Sequence, residues 1–154
     1  MLSKKTKYAL NALVYLAKLP EGEPQLIAAI ATQTQIPKKF LELILLELKN
    51  NGILESKKGA GGGYFLKMAP ADITLGRVIR LLSGPLALAP CVSKMAYMPC
   101  QECKNVEACG LKCILAEVRD SVSGILDRYT ILDILDKEKK LKAQAECKPA
   151  MFYI

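Results

Sequence analysis

The sequence of 154 residues contains no histidine and no tryptophan. Histidine is the usual general base of enzymes and the commonest protein ligand for metal ions. Its absence excludes a Ser-His-Asp or Cys-His catalytic site within this chain. A zinc site with histidine ligands is excluded for the same reason.

Acidic residues are also scarce, because 15 Asp and Glu stand against 22 Lys and Arg, which gives a formal charge of +7. Residues 1–70 hold ten Lys and five Glu, whereas residues 71–154 hold twelve Lys and Arg and ten Asp and Glu. A basic segment attracts polyanions, since contacts with phosphates release counterions. Many soluble domains are mildly basic without such a partner, so charge alone does not identify the ligand.

The chain also lacks a long apolar run, because charges interrupt every apolar stretch before the 18 residues that a membrane-spanning helix needs. Three lysines precede the apolar run 8–19 and imitate a secretory signal. Asn11 and Lys18 interrupt that run, and no small-residue cleavage site follows. We interpret it as the first helix and expect a cytoplasmic, reducing location with no membrane partner, where disulfides are disfavoured.

Apolar periodicity and capping residues predict a mainly α-helical chain with one small β-hairpin. Ser3, Thr74 and Thr130 are the expected N-caps. The predicted helices occupy residues 4–19, 26–34, 37–50, 75–82, 111–129 and 131–135, and the predicted hairpin strands occupy 53–56 and 64–66. The lysine-rich tail after Asp136 is expected to be frayed.

The order of the first elements is typical of a winged helix-turn-helix, whose third helix enters the major groove of DNA while the hairpin touches the flanking backbone or minor groove. The third helix opens with Pro37, Lys38 and Lys39. Lysine can contact phosphate or guanine, and Glu42 can accept a hydrogen bond from cytosine N4. A second interpretation is that these lysines only form a solvated first turn.

The hairpin loop contains Lys57, Lys58 and four glycines within residues 59–63. A nucleotide-binding phosphate loop is excluded because no Gly-Lys-Ser/Thr follows. The dinucleotide fingerprint fails because its last glycine would fall on Tyr64. A basic wing tip that approaches DNA closely accounts for both the glycines and the lysines, whereas a merely tight hairpin needs fewer glycines.

The predicted helix 111–129 has a narrow apolar seam, which suits a partner helix. The seam residues are Leu115, Val118, Val122, Ile125 and Tyr129.

Five of the six cysteines lie within 23 residues, and Cys147 stands apart. The five are Cys91, Cys100, Cys103, Cys109 and Cys113. Such density in a reducing compartment indicates a metal or redox role. Zinc is one alternative, although a zinc ribbon separates its two cysteine pairs by 15 or more residues. An iron–sulfur cluster and simple redox thiols are the others.

Several motifs resemble the Rrf2 family of bacterial transcription regulators, which includes the IscR, NsrR, RirA and CymR types. The motifs are residues 7–10 (KYAL), 40–42 (FLE), 51–54 (NGIL), 59–64 (GAGGGY), 73–79 (ITLGRVI) and 130–133 (TILD). The resemblance implies a homodimeric winged-helix regulator of double-stranded DNA with a long dimerisation helix, and no enzyme. By position, it assigns base and phosphate contacts to Lys38, Lys39 and Glu42 and minor-groove contacts to Lys58 and Gly59.

The resemblance also implies a [2Fe–2S] or [4Fe–4S] cluster, which aerobic preparation can remove, on Cys91, Cys103 and Cys109. Cys100 and Cys113 are alternative ligands, because the loop between Cys91 and Cys103 is longer than is usual in the family and Cys100 is extra.

The fourth ligand stays open. The position of the IscR-type histidine is Lys112 here, and that of the NsrR-type acid is Lys7. Cys113, Cys100 or Glu107 could complete the shell.

These predictions divide the chain into four parts. They are a winged helix-turn-helix (1–83), a cysteine-rich cluster-binding loop (84–113), a dimerisation helix with a short C-terminal helix (114–136) and a basic tail (137–154). We expect a regulator that senses iron–sulfur, redox or nitric oxide status. The alternatives are a cluster-free repressor regulated by thiols or a partner, as in the CymR branch, and a redox enzyme or electron carrier.

Overall fold

The computed structural model describes residues 2–103 and 105–146. The helices are α1 (Lys4–Leu16), α2 (Ile27–Thr34), α3 (Lys38–Asn50), α4 (Leu75–Ser83), α5 (Gly110–Arg128) and α6 (Ile131–Glu146). The strands β1 (Leu54–Lys57) and β2 (Gly63–Leu66) pair antiparallel, and short 3-10 turns lie at Pro70–Asp72 and Pro90–Val92. The predicted fold class, mainly α with a small hairpin, is confirmed.

Helices α1, α4 and α6 begin where the sequence places their caps. Ser3 Oγ accepts a hydrogen bond from the Thr6 N–H at 3.1 Å, and Thr74 Oγ1 accepts one from the Arg77 N–H at 3.2 Å. At α6 the cap is reciprocal, since the Thr130 N–H donates to Asp133 Oδ2 and the Asp133 N–H donates to Thr130 Oγ1. Each cap satisfies an amide that has no partner within its helix.

One hydrophobic core joins both ends of the described chain. Helix α1 packs against α2, α3, α4 and α6. Leu13 of α1, Leu45 of α3 and Ile131 of α6 are each fully buried. The Leu75 N–H donates to the Tyr129 carbonyl at 2.9 Å, and the Ile131 N–H donates to the Ile73 carbonyl at 3.0 Å. These bonds attach the start of α6 to the start of α4, so α6 completes the core of the first four helices.

Two predicted helix ends are wrong. Helix α1 ends at Leu16 rather than at residue 19, because the chain turns ahead of Pro20. Helix α6 continues to Glu146 rather than ending near Leu135, and the segment 137–146 is helical rather than frayed. That segment consists of strong helix formers. An ion pair of 2.6 Å between Lys18 Nζ and Glu138 Oε2 also holds it against the end of α1.

Candidate nucleic-acid interface and cysteine loop

The turn that leads into α3 is short and well anchored. Gln35 ends α2 in the left-handed region at φ 55°, Ile36 is buried, and Pro37 caps α3. Proline has no N–H group, and none is needed at the start of a helix. The anchored turn leaves the N-terminal end of α3 at the surface.

Helix α3 has one buried and one exposed face. Its buried residues are Leu41, Ile44, Leu45 and Leu48. The predicted contact residues Lys38, Lys39 and Glu42 are all exposed. Lys38 Nζ lies 4.0 Å from Glu42 Oε1, at the outer limit of an ion pair. Both groups are therefore free to contact a ligand.

The hairpin presents the basic loop as a wing. Lys57, Lys58 and Gly59 are exposed at its tip. Lys49 Nζ of α3 donates to Ser56 Oγ of β1 at 2.7 Å, and α3 packs against β1. Since Leu54 at the start of β1 is also buried, the wing and α3 hold a fixed relative position.

The wing glycines divide into two groups. Gly59 lies at φ +94° with open space around it, which fits close approach of a ligand. A side chain on Gly62 would collide with the Lys57 carbonyl, and one on Gly63 would collide with the Gln25 carbonyl. Gln25 and Tyr64 exchange two backbone hydrogen bonds of 2.9 Å at this point. Gly62 and Gly63 are therefore required by local packing, whereas the sequence pattern alone had suggested that they allow the wing to approach DNA.

The segment between α4 and α5 is anchored to α5. Val92 and Ser93 are buried, and the Arg119 guanidinium donates to the Val92 carbonyl. Lys94 Nζ forms an ion pair of 2.7 Å with Asp120 Oδ1. No local sequence pattern indicates these anchors, because they join charged residues on α5 to positions far away in the chain.

The structure brings Cys103 and Cys109 together, with 4.0 Å between their sulfur atoms. Hydrogen bonds with the Cys100 and Cys109 thiols raise the pKa of Cys103 to about 12. Backbone N–H groups of Lys112 and Leu111, at the start of α5, lower the pKa of Cys109. The lowered pKa makes Cys109 the more readily ionised thiol of the pair.

Of the alternative ligands, Cys100 is half-buried, and its thiol forms a hydrogen bond with that of Cys103. The remaining cysteines are not part of this group. Cys91 is half-buried on the turn Pro90–Val92, Cys113 is exposed, and Cys147 lies outside the described residues. Among residues 2–103 and 105–146, no three potential ligands are grouped closely enough to hold a metal ion. The predicted set Cys91, Cys103 and Cys109 is thus only partly assembled.

Helix α5 has no buried residue in the single chain. It packs against α4, and four of the five predicted seam residues are exposed, with Val122 at 41% and Ile125 at 47%, whereas Leu115 is half-buried. Leu111 and Ile114 extend the seam towards the cysteine loop. Within the described part of the chain the seam is only partly covered, since Val118 and Val122 line an open groove with Leu75 and Ile79 of α4 and Lys137 Nζ lies 4.2 Å from the centre of the Tyr129 ring. The helices there are also too short or too polar to cross a membrane.

Comparisons with known proteins agree with this architecture. Residues 2–137 match the family model Rrf2, described as an iron-dependent transcriptional regulator. An rrf2-like HTH-type transcriptional regulator of Rhodobacter capsulatus is 41% identical over 138 residues, which cover 88% of this chain and 92% of the relative. The HTH-type transcriptional regulator NsrR of Halalkalibacterium halodurans is 31% identical over 96% of this chain and 99% of its own.

A solved structure is similar over nearly the same length. The structure of CymR, the global cysteine regulator of B. subtilis, has a TM-score of 0.70 and 29% identity, and the match covers 89% of this chain and 97% of CymR. A family match over most of the chain and a relative above 40% identity establish the family. The chain belongs to the Rrf2 family of winged-helix transcriptional regulators.

Proposed function

We propose that this regulator binds double-stranded DNA as a homodimer, with α3 in the major groove and the wing on the adjacent backbone and minor groove. The observation that carries the proposal is the exposure of all five predicted contact residues on two elements that are fixed to each other. They are Lys38, Lys39, Glu42, Lys58 and Gly59.

These five residues divide by chemistry. The ammonium groups of Lys38, Lys39 and Lys58 neutralise phosphates, and a lysine at the start of α3 can also reach guanine. The Glu42 carboxylate accepts from cytosine N4 and so supplies sequence preference. Gly59 has no side chain that would hold the wing backbone away from the duplex.

The exposed seam of α5 is the proposed dimer interface. Apolar residues at three-and-four spacing on one helix pack against the same residues of a second copy, which gives a two-fold symmetric pair. Such a dimer carries two DNA-binding heads and fits half-sites about one helical turn apart.

The DNA proposal is tested with the full-length protein and a duplex selected by it from a random-sequence pool. We expect binding whose affinity falls steeply as salt concentration rises, since several lysines release counterions. Failure to enrich any duplex, or affinity independent of salt, would contradict the proposal.

We further propose that the cysteine loop holds an iron–sulfur cluster through Cys103, Cys109 and a third thiolate. By its position in the family motif, Cys91 is the expected third ligand, and Cys100 and Cys113 are the alternatives. The donor set fits such a group, because thiolates are its usual protein ligands. The nearby Cys103 and Cys109 sulfurs, with the lowered pKa of Cys109, support this chemistry. When bound, the cluster would supply sensitivity to oxidants and nitric oxide.

The residues of α5 connect this loop to the DNA-binding head. Arg119 and Asp120 hold the loop, and two turns later Asp127 and Tyr129 contact α4. A rearrangement of the loop can therefore shift α5 relative to α3 and the wing. This coupling regulates DNA binding only if the two arrangements of the loop differ in their free energy of DNA binding.

Cluster binding is tested by anaerobic purification, assays of iron and acid-labile sulfide, and visible absorption. We expect iron and sulfide in the wild type and their loss in Cys103→Ser and Cys109→Ser. A colourless, iron-free wild-type protein after reconstitution would contradict the proposal.

A cluster-free dithiol switch is the second candidate, favoured by the 4.0 Å between the Cys103 and Cys109 sulfurs, while no group of three ligands among the described residues is arranged to hold a metal ion. Cys109 thiolate would attack a low-molecular-weight disulfide and expel one thiolate. Cys103 thiolate would then displace the second and close the protein disulfide. Gel shifts of reduced, oxidised and cluster-loaded protein separate the two candidates.

A further inference from the structure

The outward face of α3 is unexpectedly apolar. Phe40 is 61% exposed, Leu43 is 65% exposed and Leu46 is 47% exposed. Single exposed apolar residues are common on protein surfaces. Here three large ones fall within seven residues of the helix that carries Lys38, Lys39 and Glu42.

Leu43 lies at the centre of this face. At 100° per residue, Lys39, Leu43 and Leu46 form a line opposite the buried stripe that contains Leu41 and Leu48. The line therefore points directly away from the core. Lys39 lies one turn before Leu43 on this line, and Glu42 lies on one flank of Leu43.

Basic side chains border the apolar centre on its other flank. Leu43 and Phe40 line a groove of about 590 Å³ between α1 and α3, together with Tyr8 and the lysines Lys4 and Lys5. Lys5 Nζ also forms an ion pair of 2.5 Å with Glu47 of α3. An apolar strip with lysines on one flank and at its N-terminal end complements a major groove in which thymine methyl groups lie beside the phosphates.

We propose that Leu43, with Phe40 beside it, reads the 5-methyl groups of thymine in each half-site. The proposal rests on the proposed DNA-binding function and adds an apolar component of sequence recognition to it. The surrounding charge favours DNA over an apolar protein partner, because Lys4 and Lys39 are both exposed next to the strip.

Deoxyuridine provides a direct test, since it pairs as thymidine does and lacks only the methyl group. The probe is the duplex selected by the wild-type protein, with half-site thymidines replaced one at a time. Burial of one methyl group predicts about a fourfold loss of affinity at the positions that Leu43 contacts. Replacement outside the half-sites should change nothing.

Leu43→Ala should bind the thymidine and deoxyuridine duplexes with nearly equal affinity. Leu141→Ala, which truncates an equally exposed leucine on α6, should keep the wild-type discrimination. Circular dichroism checks that each variant is folded.

Several results would overturn the inference. Equal wild-type affinity for all substituted duplexes would do so while leaving the DNA-binding function intact. Discrimination that persists in Leu43→Ala would remove the role of Leu43. If the wild type selects no duplex at all, the proposed function itself fails.

Discussion

The carboxylate of Asp127 lies directly over Gly76, so that any Cβ at position 76 would collide with Asp127 Oδ1. Arg80, one turn after Gly76 on α4, holds this carboxylate through two hydrogen bonds of 2.6 and 2.7 Å. The three residues together connect α4 of the DNA-binding head to α5. The glycine is needed because the bidentate pair brings the two helices close together.

Gly76→Ala should therefore destabilise the protein, because the added methyl group must displace either the carboxylate or the helix. Displacing the part-exposed carboxylate breaks its pair with Arg80, so we expect a cost of up to about 1 kcal/mol, or a few degrees in Tm for a chain of this length. Thermal denaturation measures it. Gly124→Ala is the matched control, since nothing lies within 4 Å of a Cβ there, and it should be neutral or stabilising. Equal Tm values for the two variants would contradict the packing at Gly76.

The ion pair with Arg80 should make part of the stability depend on pH. The Arg80 guanidinium lowers the pKa of Asp127 below its ordinary 3.8. A carboxylate with a lowered folded-state pKa contributes stability above its unfolded-state pKa and loses it as pH falls through the folded value. The side chains are 26% and 44% exposed, so the contribution should be below about 1 kcal/mol.

We expect Asp127→Asn to lower Tm slightly and by a constant amount between pH 6 and 8, and the difference from wild type to shrink below about pH 4. Thermal denaturation of the variant and the wild type across this pH range measures the difference in Tm. A difference that grows as the solution becomes more acidic would be inconsistent with the pair.

Val122→Glu should separate the proposed dimer, because it places a charge in the middle of the apolar seam of α5. Sedimentation should find monomers at concentrations at which the wild type is dimeric. Gly124→Glu adds the same charge on a different side of α5 and should stay dimeric. If Val122→Glu also remains a dimer, the seam is not the interface.

Glu42→Ala should relax sequence preference rather than weaken binding to every duplex, because a carboxylate near DNA contributes through base contact and not through phosphate attraction. Affinities for the selected duplex and for single-base variants of it measure the effect. A uniform loss across all variants would contradict base contact by Glu42.

Local signals explain which parts of the fold could be predicted. The caps at Ser3, Thr74 and Thr130 depend on hydrogen bonds within three residues, so the sequence locates these helix starts correctly. The extension of α6 beyond Leu135 depends on the contact between Lys18 and Glu138, which are distant in the chain. Periodicity alone gives no sign of that contact.

In the candidate site, too, some features follow from local sequence and others depend on contacts between distant residues. Lysines and glycines identify the wing, but the packing needs of Gly62 and Gly63 depend on neighbouring backbone that only the fold brings close. The family resemblance places Cys103 and Cys109 in one ligand set, and their sulfur atoms lie 4.0 Å apart. Cys91 lies elsewhere, because the carbonyl of the next residue, Val92, is bonded to Arg119 of α5. The exposure of Leu43 was missed because an apolar residue inside a helix is ordinarily assigned to the core.

The most direct test of the DNA-binding surface compares two triple variants that remove the same charge. One replaces Lys38, Lys39 and Lys58 with alanine, and the other replaces Lys139, Lys140 and Lys142, which are exposed on α6. The measured quantity is the affinity for the selected duplex as a function of salt. We predict that the first variant loses at least tenfold in affinity and has a clearly shallower salt dependence, while the second stays near wild type. Equal losses in both variants would mean that only net charge matters and would contradict binding through α3 and the wing.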